Sequence, residues 1–127
     1  MAKIIIVEDD KTLAAIYKQK IEEGGHLVSI IEDVEAVAAI TAAKQDLVIL
    51  DILMPKVNGL DILREIKANP ETSLIPVLLL TNVAEDASVA KGLQYGAYGY
   101  LLKSETTPNQ VLPRINMMLE ETKPPTP

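Results

Sequence analysis

Four short stretches of the chain carry the side chains best suited to chemistry. They hold the acids Glu8, Asp9 and Asp10, the acid Asp51, the hydroxyl of Thr81, and the amine of Lys103. Each follows directly on an apolar run: KIIIV before Glu8, LVIL before Asp51, PVLLL before Thr81 and YGYLL before Lys103. A carboxylate at the end of a buried run is costly unless something pairs with it. Two carboxylates about 4 Å apart repel by roughly 4 kcal/mol at an effective dielectric of about 20, so Asp9 beside Asp51 would need a cation or a shared proton. Oxygen ligands from two acids and a backbone carbonyl suit Mg²⁺, which keeps several waters. Lys103 adds a fixed positive charge, and Thr81 a hydroxyl between them. Taken singly, a strand-end acid is usually a turn or cap, a threonine a cap and a lysine a solvated charge. The weight lies in all of them meeting at one end of one sheet.

The elements that would bring them together follow from the apolar pattern. Runs at 3–7, 27–31, 47–50, 76–80 and 98–102 are short and aliphatic, as strands within a covered sheet are. Between them lie amphipathic helical segments. The first spans about 11–23, with Leu13, Ile16, Tyr17 and Ile21 inward, Asp10 as N-cap and Gly24-Gly25 as stop. The second closes near Lys44, capped by Asp33, with Val34, Val37, Ala38 and Thr41 on its inner face. The third spans 59–68 and stops at Asn69-Pro70. The fourth spans 85–95. The last opens at Thr107-Pro108 and reaches about Thr122. Pro113 within it predicts either a kink or a regular helix that begins near that residue. Strict alternation of strand and helix predicts a parallel α/β sheet with helices on both faces and right-handed crossovers. Ligands of such sheets bind beyond the carboxyl ends of the strands, where the four stretches lie.

Bulk properties narrow the function classes. The chain has 127 residues, enough for one domain, and is 48% hydrophobic. Its only aromatics are four tyrosines, so the core is aliphatic. A net charge of −6 and a pI near 4.7 argue against a nucleic-acid surface. There is no cysteine, hence no disulfide framework. The sequence shows neither a signal-peptide pattern nor an apolar stretch approaching the roughly 18 residues of a membrane helix. These features predict an acidic cytoplasmic domain over residues 1–122. The segment 123–127, KPPTP, reads as a mobile tail or the start of a linker.

In order, spacing and context, these residues resemble the response-regulator receiver domain of two-component signalling. The matching motifs are Glu8-Asp9 after the first strand, Asp51 in DILMPKVNG, Thr81 after the fourth strand and Lys103 in GYLLKS. The resemblance implies a three-layer, doubly wound (βα)5 flavodoxin-like fold with strand order 2-1-3-4-5. It implies that Asp51 accepts a phosphoryl group from a histidine kinase or a histidine phosphotransfer protein. Asp9, Asp51 and the Leu53 carbonyl would hold Mg²⁺, with Glu8 acting through water. Thr81 would bond a phosphoryl oxygen, Lys103 would pair with the acceptor or its phosphate, and Tyr100 would be the aromatic switch beside Thr81. Leu53 and Val83 would tune how long the phosphate stays. The output surface would be the fourth helix, fifth strand and fifth helix, acting on an unnamed output protein or domain, with room for a homodimer through the same surface. Such a domain promotes its own phosphorylation and dephosphorylation and is not a turnover enzyme.

The sequence departs from the family pattern in two places. Ser104 follows Lys103 where proline is usual, so the bond between them is either trans, with the lysine differently aimed, or a strained cis bond. Asn82 follows Thr81 where a very small residue is usual; it either narrows access to Asp51 or serves as a cap. Two other readings stay open: a phosphate-independent pseudo-receiver acting as an interaction module, and an enzyme or flavoprotein on the same topology. The latter lacks a Gly-rich phosphate loop after the first strand. His26 reads as a packing or surface residue, Tyr95, Tyr98 and Tyr100 as a packing patch or partner surface, and Lys56, Arg64 and Lys67 as solvated charges.

Overall fold

Five aliphatic runs pair into one sheet in the computed structural model, which describes residues 1–32, 35–82 and 87–122. The strands are β1 (Lys3–Val7), β2 (Leu27–Ile31), β3 (Leu47–Asp51), β4 (Val77–Thr81) and β5 (Gly99–Leu102). All four pairings are parallel, in the order β2-β1-β3-β4-β5. The helices are α1 (Lys11–Glu22), α2 (Ala36–Ala42), α3 (Gly59–Ala68), α4 (Ala87–Gln94) and α5 (Pro108–Thr122). This is the three-layer fold that the resemblance implied.

Successive strand residues point to opposite faces, and the core divides accordingly. Ile4, Ile6, Leu47, Ile49, Leu78 and Leu80 pack with Tyr17 and Ile21 of α1 and Val111, Ile115 and Met118 of α5. Ile5, Val7, Val48, Leu50, Val77 and Leu79 pack with Ile40 of α2, Leu63 and Ile66 of α3 and Val89 of α4. Every residue of β3 and β4 is buried. Each such aliphatic side chain contributes roughly 1.5–3 kcal/mol on leaving water, so the three inner strands form a stiff platform.

The element ends follow the local chemistry. The Asp10 side chain accepts from Leu13 N–H at 3.1 Å and starts α1. Asn69 is extended, as the residue before a proline must be, and ends α3. The Thr107 N–H donates to the Gln110 side chain at 2.8 Å, half of a capping box for α5.

Several sequence readings need correction. The α1 face is set by Ala14, Tyr17 and Ile21, while Ile16 is 37% exposed. In α2 the buried residues are Ala36 and Ile40, and Ala38 faces solvent; the Asp33 cap and Val34 lie outside the described residues. The α5 helix opens at Pro108, as the Thr107-Pro108 pair predicts, and runs through Pro113, so the alternative of a regular helix beginning near Pro113 falls away. Pro113 is exposed in the second turn, so the Asn109 carbonyl that its missing N–H leaves free can bond water. Lys67 is not an ordinary solvated charge. Its ammonium donates to the carbonyls of Ser73 and Ile75 at 3.0 and 2.8 Å, tying down the loop before β4. Burial lowers its pKa.

Gly59 has a specific structural reason. It opens α3 and donates its N–H to the Ile52 carbonyl at 2.9 Å. A Cβ on this residue would collide with the Asp51 carbonyl oxygen and lie 2.8 Å from the Ile52 Cα. Both neighbours are backbone and cannot rotate away. Gly59→Ala should therefore lower stability by about 1–3 kcal/mol, the usual cost of overpacking. Urea denaturation measures this, and an unchanged midpoint would contradict the packing described.

Candidate functional site

The site forms where strand alternation runs past the carboxyl ends of the strands. Glu8 N–H donates to the Ile31 carbonyl at 3.1 Å and Lys103 N–H to the Thr81 carbonyl at 2.8 Å, so the ladder extends one residue beyond β1 and β5. Glu8 therefore continues the row of Ile4 and Ile6, Asp51 that of Leu47 and Ile49, and Lys103 that of Leu101. All three rows belong to the layer of α1 and α5.

Lys103 is the hub of this row. Its ammonium lies 2.9 Å from Glu8 Oε2, donates to Glu8 Oε1 at 3.2 Å, and lies 3.2 Å from Asp51 Oδ2. The contact with Oε2 is an ion pair without hydrogen-bond alignment, so Oε2 accepts no hydrogen bond among the described residues. Glu8 Oε1 also accepts from Asp10 N–H at 3.2 Å, and Asp51 Oδ1 from Leu53 N–H at 3.1 Å. Glu8 and Asp51 are buried, at 1% and 3% exposure. Asp9 is exposed at the rim. Glu8, Asp9 and Asp51 each offer a carboxylate oxygen within 4.8 Å of the others.

One ammonium is thus shared between two buried acids, with a third beside them. Burial pushes the Glu8 carboxyl up to about 7, against the pull of Lys103 and with a further push from Asp51. Burial raises Asp51 as well; Lys103 opposes this and does not prevail. Burial alone would lower Lys103, but its bonds and charges with Glu8 and Asp51 outweigh that and hold it up. A cluster of hard oxygen donors short of positive charge suits a small divalent cation such as Mg²⁺.

The other expected residues take definite places. Thr81 is buried at the end of β4, one residue beyond the Asp51–Leu80 register pair. Leu53 is 60% exposed at the mouth of the site and bridges Asn58. Asn82 is exposed. Tyr98 and Tyr100 share one side of β5, at 36% and 37% exposure, in a groove with Leu93, Gln110 and Arg114. Val83 lies outside the described residues. No cis peptide bond occurs among the described residues, so Lys103-Ser104 is trans. The strained cis alternative falls away, and the trans bond still brings the lysine to both acids. His26 sits at the opposite end of the sheet, accepting from Ala2 N–H and bonding Asn116 of α5.

Two features were missed from sequence. Gly59, which the sequence marks only as the first residue of the third helix, presses on the backbone of Asp51 itself. Tyr17 was read only as part of the packing face of α1. It is 1% exposed, and its hydroxyl has no hydrogen-bond partner among the described residues. A lone hydroxyl on an otherwise aliphatic inner face was the available signal.

Comparison with known proteins agrees with this geometry. The family model for the response regulator receiver domain matches residues 4–116. The chain is 33% identical over 125 residues to the phosphate regulon transcriptional regulatory protein PhoB of Rhizobium meliloti (strain 1021), covering 98% of this chain and 55% of that protein. It resembles the solved signal receiver domain of a signal transduction histidine kinase from Syntrophus aciditrophicus, with a TM-score of 0.86 and 30% identity, covering 99% of this chain and 96% of that one. The chemotaxis response regulator CheY4 of Vibrio cholerae superposes with a TM-score of 0.85 at 25% identity, covering 92% and 98%. The chain spans about half the length of the curated relatives it matches. The family match runs from Ile4 in β1 to Asn116 in α5 and takes in the whole acidic cluster with Lys103, so this chain belongs to the response regulator receiver domains of two-component systems.

Proposed function

We propose that the chain is a cytoplasmic phosphoacceptor switch in which Asp51 takes a phosphoryl group from the phosphohistidine of a kinase or phosphotransfer protein. The observation that carries this reading is the placement of a buried Asp51 carboxylate 3.2 Å from Lys103, within a cluster that also holds Glu8 and Asp9. An Asp51 carboxylate oxygen attacks phosphorus, the new O–P bond forms as the P–N bond breaks, and the imidazole leaves. Phosphoryl transfer depends mainly on positioning and charge neutralisation. Asp9, Asp51 and the Leu53 carbonyl would hold Mg²⁺ directly and Glu8 through water. The bound cation supplies positive charge that offsets the oxygens in transfer and the crowding of the acids.

Lys103 pairs with the phosphorylated group from the α1–α5 side, and the Thr81 hydroxyl bonds a phosphoryl oxygen beside it. The product carries close to two negative charges. Drawing Thr81 toward them shifts Tyr100 and biases the surface of α4, β5 and α5 toward a partner or a second copy. The chain is a switch that loads and unloads its own phosphate, not a turnover enzyme. The presence of every acceptor-site residue favours this over a phosphate-independent module.

Incubation with acetyl phosphate and Mg²⁺, read by intact mass, tests the central step. The wild type should gain one phosphoryl group and Asp51→Asn none; uptake by Asp51→Asn would overturn the assignment. The Leu53 side chain lies exposed at the rim and offers no polar group to orient water. Leu53→Asn should shorten the phosphoryl lifetime by roughly tenfold, the worth of one well-placed hydrogen bond. Equal decay rates would count against this role.

The raised Glu8 pKa gives a third test. Between its ordinary value of 4.5 and about 7 the folded chain holds a proton that the unfolded chain has released. This contribution is complete below about 4.5 and is lost as pH rises through 7, on the order of a few kcal/mol. With chelator present, the melting temperature should fall across that window. Mg²⁺ should raise it more at pH 8 than at pH 5. A Mg²⁺ increment independent of pH would contradict the crowding described.

A further inference from the structure

At the end of the sheet away from the acids, the loop between α3 and β4 is firmly built. The Asn69 side chain accepts from Glu71 N–H at 2.9 Å, and the Asn69 carbonyl accepts from Thr72 and Ser73 N–H at 3.0 and 2.8 Å. The buried Thr72 hydroxyl donates to the Ile66 carbonyl at 2.7 Å. Lys67 completes the loop by donating to the Ser73 and Ile75 carbonyls. Those two carbonyls flank Leu74, which is 93% exposed. A leucine standing singly on a surface is ordinary. A leucine fixed there by one half-buried ammonium bonded to both its neighbours is not, because that lysine gives up hydration to hold it. On the same loop, Glu71, Thr72 and Ile75 line a groove of about 550 Å³, together with Ile40, Thr41 and Lys44 from the end of α2 and the turn into β3. Among the described residues Lys44 is the only one other than glycine with a positive φ, at 42°. It sits just past the end of α2, where glycine adopts that conformation without strain. Lys44 and Glu71 are both exposed, and neither makes an ion pair among the described residues.

We infer that this face is a self-complementary contact between two copies of the chain, in which Leu74 of each copy seats in the groove of the other. The occupant is a second copy because knob and groove adjoin on one loop. A two-fold contact requires this, since each copy must give what it receives. Charge fits the same arrangement. The loop that carries Leu74 also carries Glu71, while the α2 end of the groove carries Lys44. Seating each loop in the other copy's groove brings each Glu71 to a Lys44, and two such pairs close around two leucines. A lysine held in a strained backbone at the groove has its use in this pairing. The loop is already fixed by its hydrogen bonds, so it loses little freedom on docking. The face is small and each copy carries a charge of −6, so the dimer is weak, with a dissociation constant roughly in the range 0.1–1 mM. It lies at the opposite end of the sheet from Asp51 and apart from the surface of α4, β5 and α5. It therefore forms without a phosphoryl group and does not rest on the phosphoacceptor reading.

Sedimentation equilibrium of the unphosphorylated chain, with chelator present and over about 20 µM to 2 mM, tests this. The weight-average mass should rise from 13.8 kDa toward twice that value. Leu74→Asp should weaken association at least about tenfold. It should leave the melting temperature unchanged, since the side chain it replaces already stands in water. Lys44→Glu and Glu71→Lys should each weaken association by roughly threefold to tenfold, because each sets like charges face to face. The double variant Lys44→Glu/Glu71→Lys reverses the pair intact and should regain the wild-type association. A mass that stays at 13.8 kDa throughout overturns the inference. So does a dimer that persists in Leu74→Asp, the outcome expected of association through another face such as α4, β5 and α5. Failure of the double variant to regain what the single variants lose overturns it as well. None of these outcomes bears on the phosphoacceptor reading, which stands or falls on phosphoryl uptake by Asp51.

Discussion

The structure turns on a shortage of positive charge. Two buried carboxyl groups and a third at the rim meet at one point, and the Lys103 ammonium is shared between the two buried ones. In water such acids would simply ionise and spread apart. Here they are fixed by β1, buried beyond Lys3, and by the fully buried β3, so the repulsion cannot relax by movement. Burial raises the pKa of both Glu8 and Asp51, and Lys103 does not offset it. The shortage is also what makes the site receptive. Glu8, Asp9 and Asp51 offer clustered hard oxygen donors of the kind that suits a small divalent cation.

The platform beneath the charges explains why they can be held so tightly. The two apolar layers share no side chains, because strand period two assigns each residue to one or the other. Glu8, Asp51 and Lys103 inherit the α1–α5 layer, while Thr81 follows Val77 and Leu79 toward the layer of α2, α3 and α4. The site therefore straddles the sheet. Charge is held from one side and the threonine stands on the other.

Much of this was legible from the sequence, for physical reasons. Short aliphatic runs ending in acids, a threonine and a lysine have few other uses, and strict alternation leaves one sheet topology class. Asp10, Asn69 and Pro108 marked helix ends because their backbone preferences act locally. What escaped notice depended on distance in the chain. The inner face of α2 slid because alanines carry almost no signal. Lys67 looked solvated because the carbonyls it binds belong to the loop that follows its helix. The aim of Lys103 could not be decided from Ser104, since a trans bond there still delivers the ammonium to both acids. Tyr17 reads from sequence only as apolar bulk, and the unpartnered state of its buried hydroxyl depends on neighbours distant in the chain.

The contact of Gly59 with the Asp51 backbone sets a rule of length. The chain leaves β3 at Asp51, and by Gly59 it has returned to touch the residue it left, closed by the Leu53–Asn58 bridge and the bond from Gly59 N–H to the Ile52 carbonyl. The segment 52–58 is thus a closed ring built on Asp51. Ile52 is buried in the core and Met54 and Val57 pack against it, whereas Leu53 and Pro55 are exposed and free to change. The number of residues is not free, since one more or one fewer would shift the start of α3 and pull on the peptide that carries the reactive carboxylate. Along this part of the chain, substitutions are an open route for adjusting the switch, and insertions and deletions are a closed one.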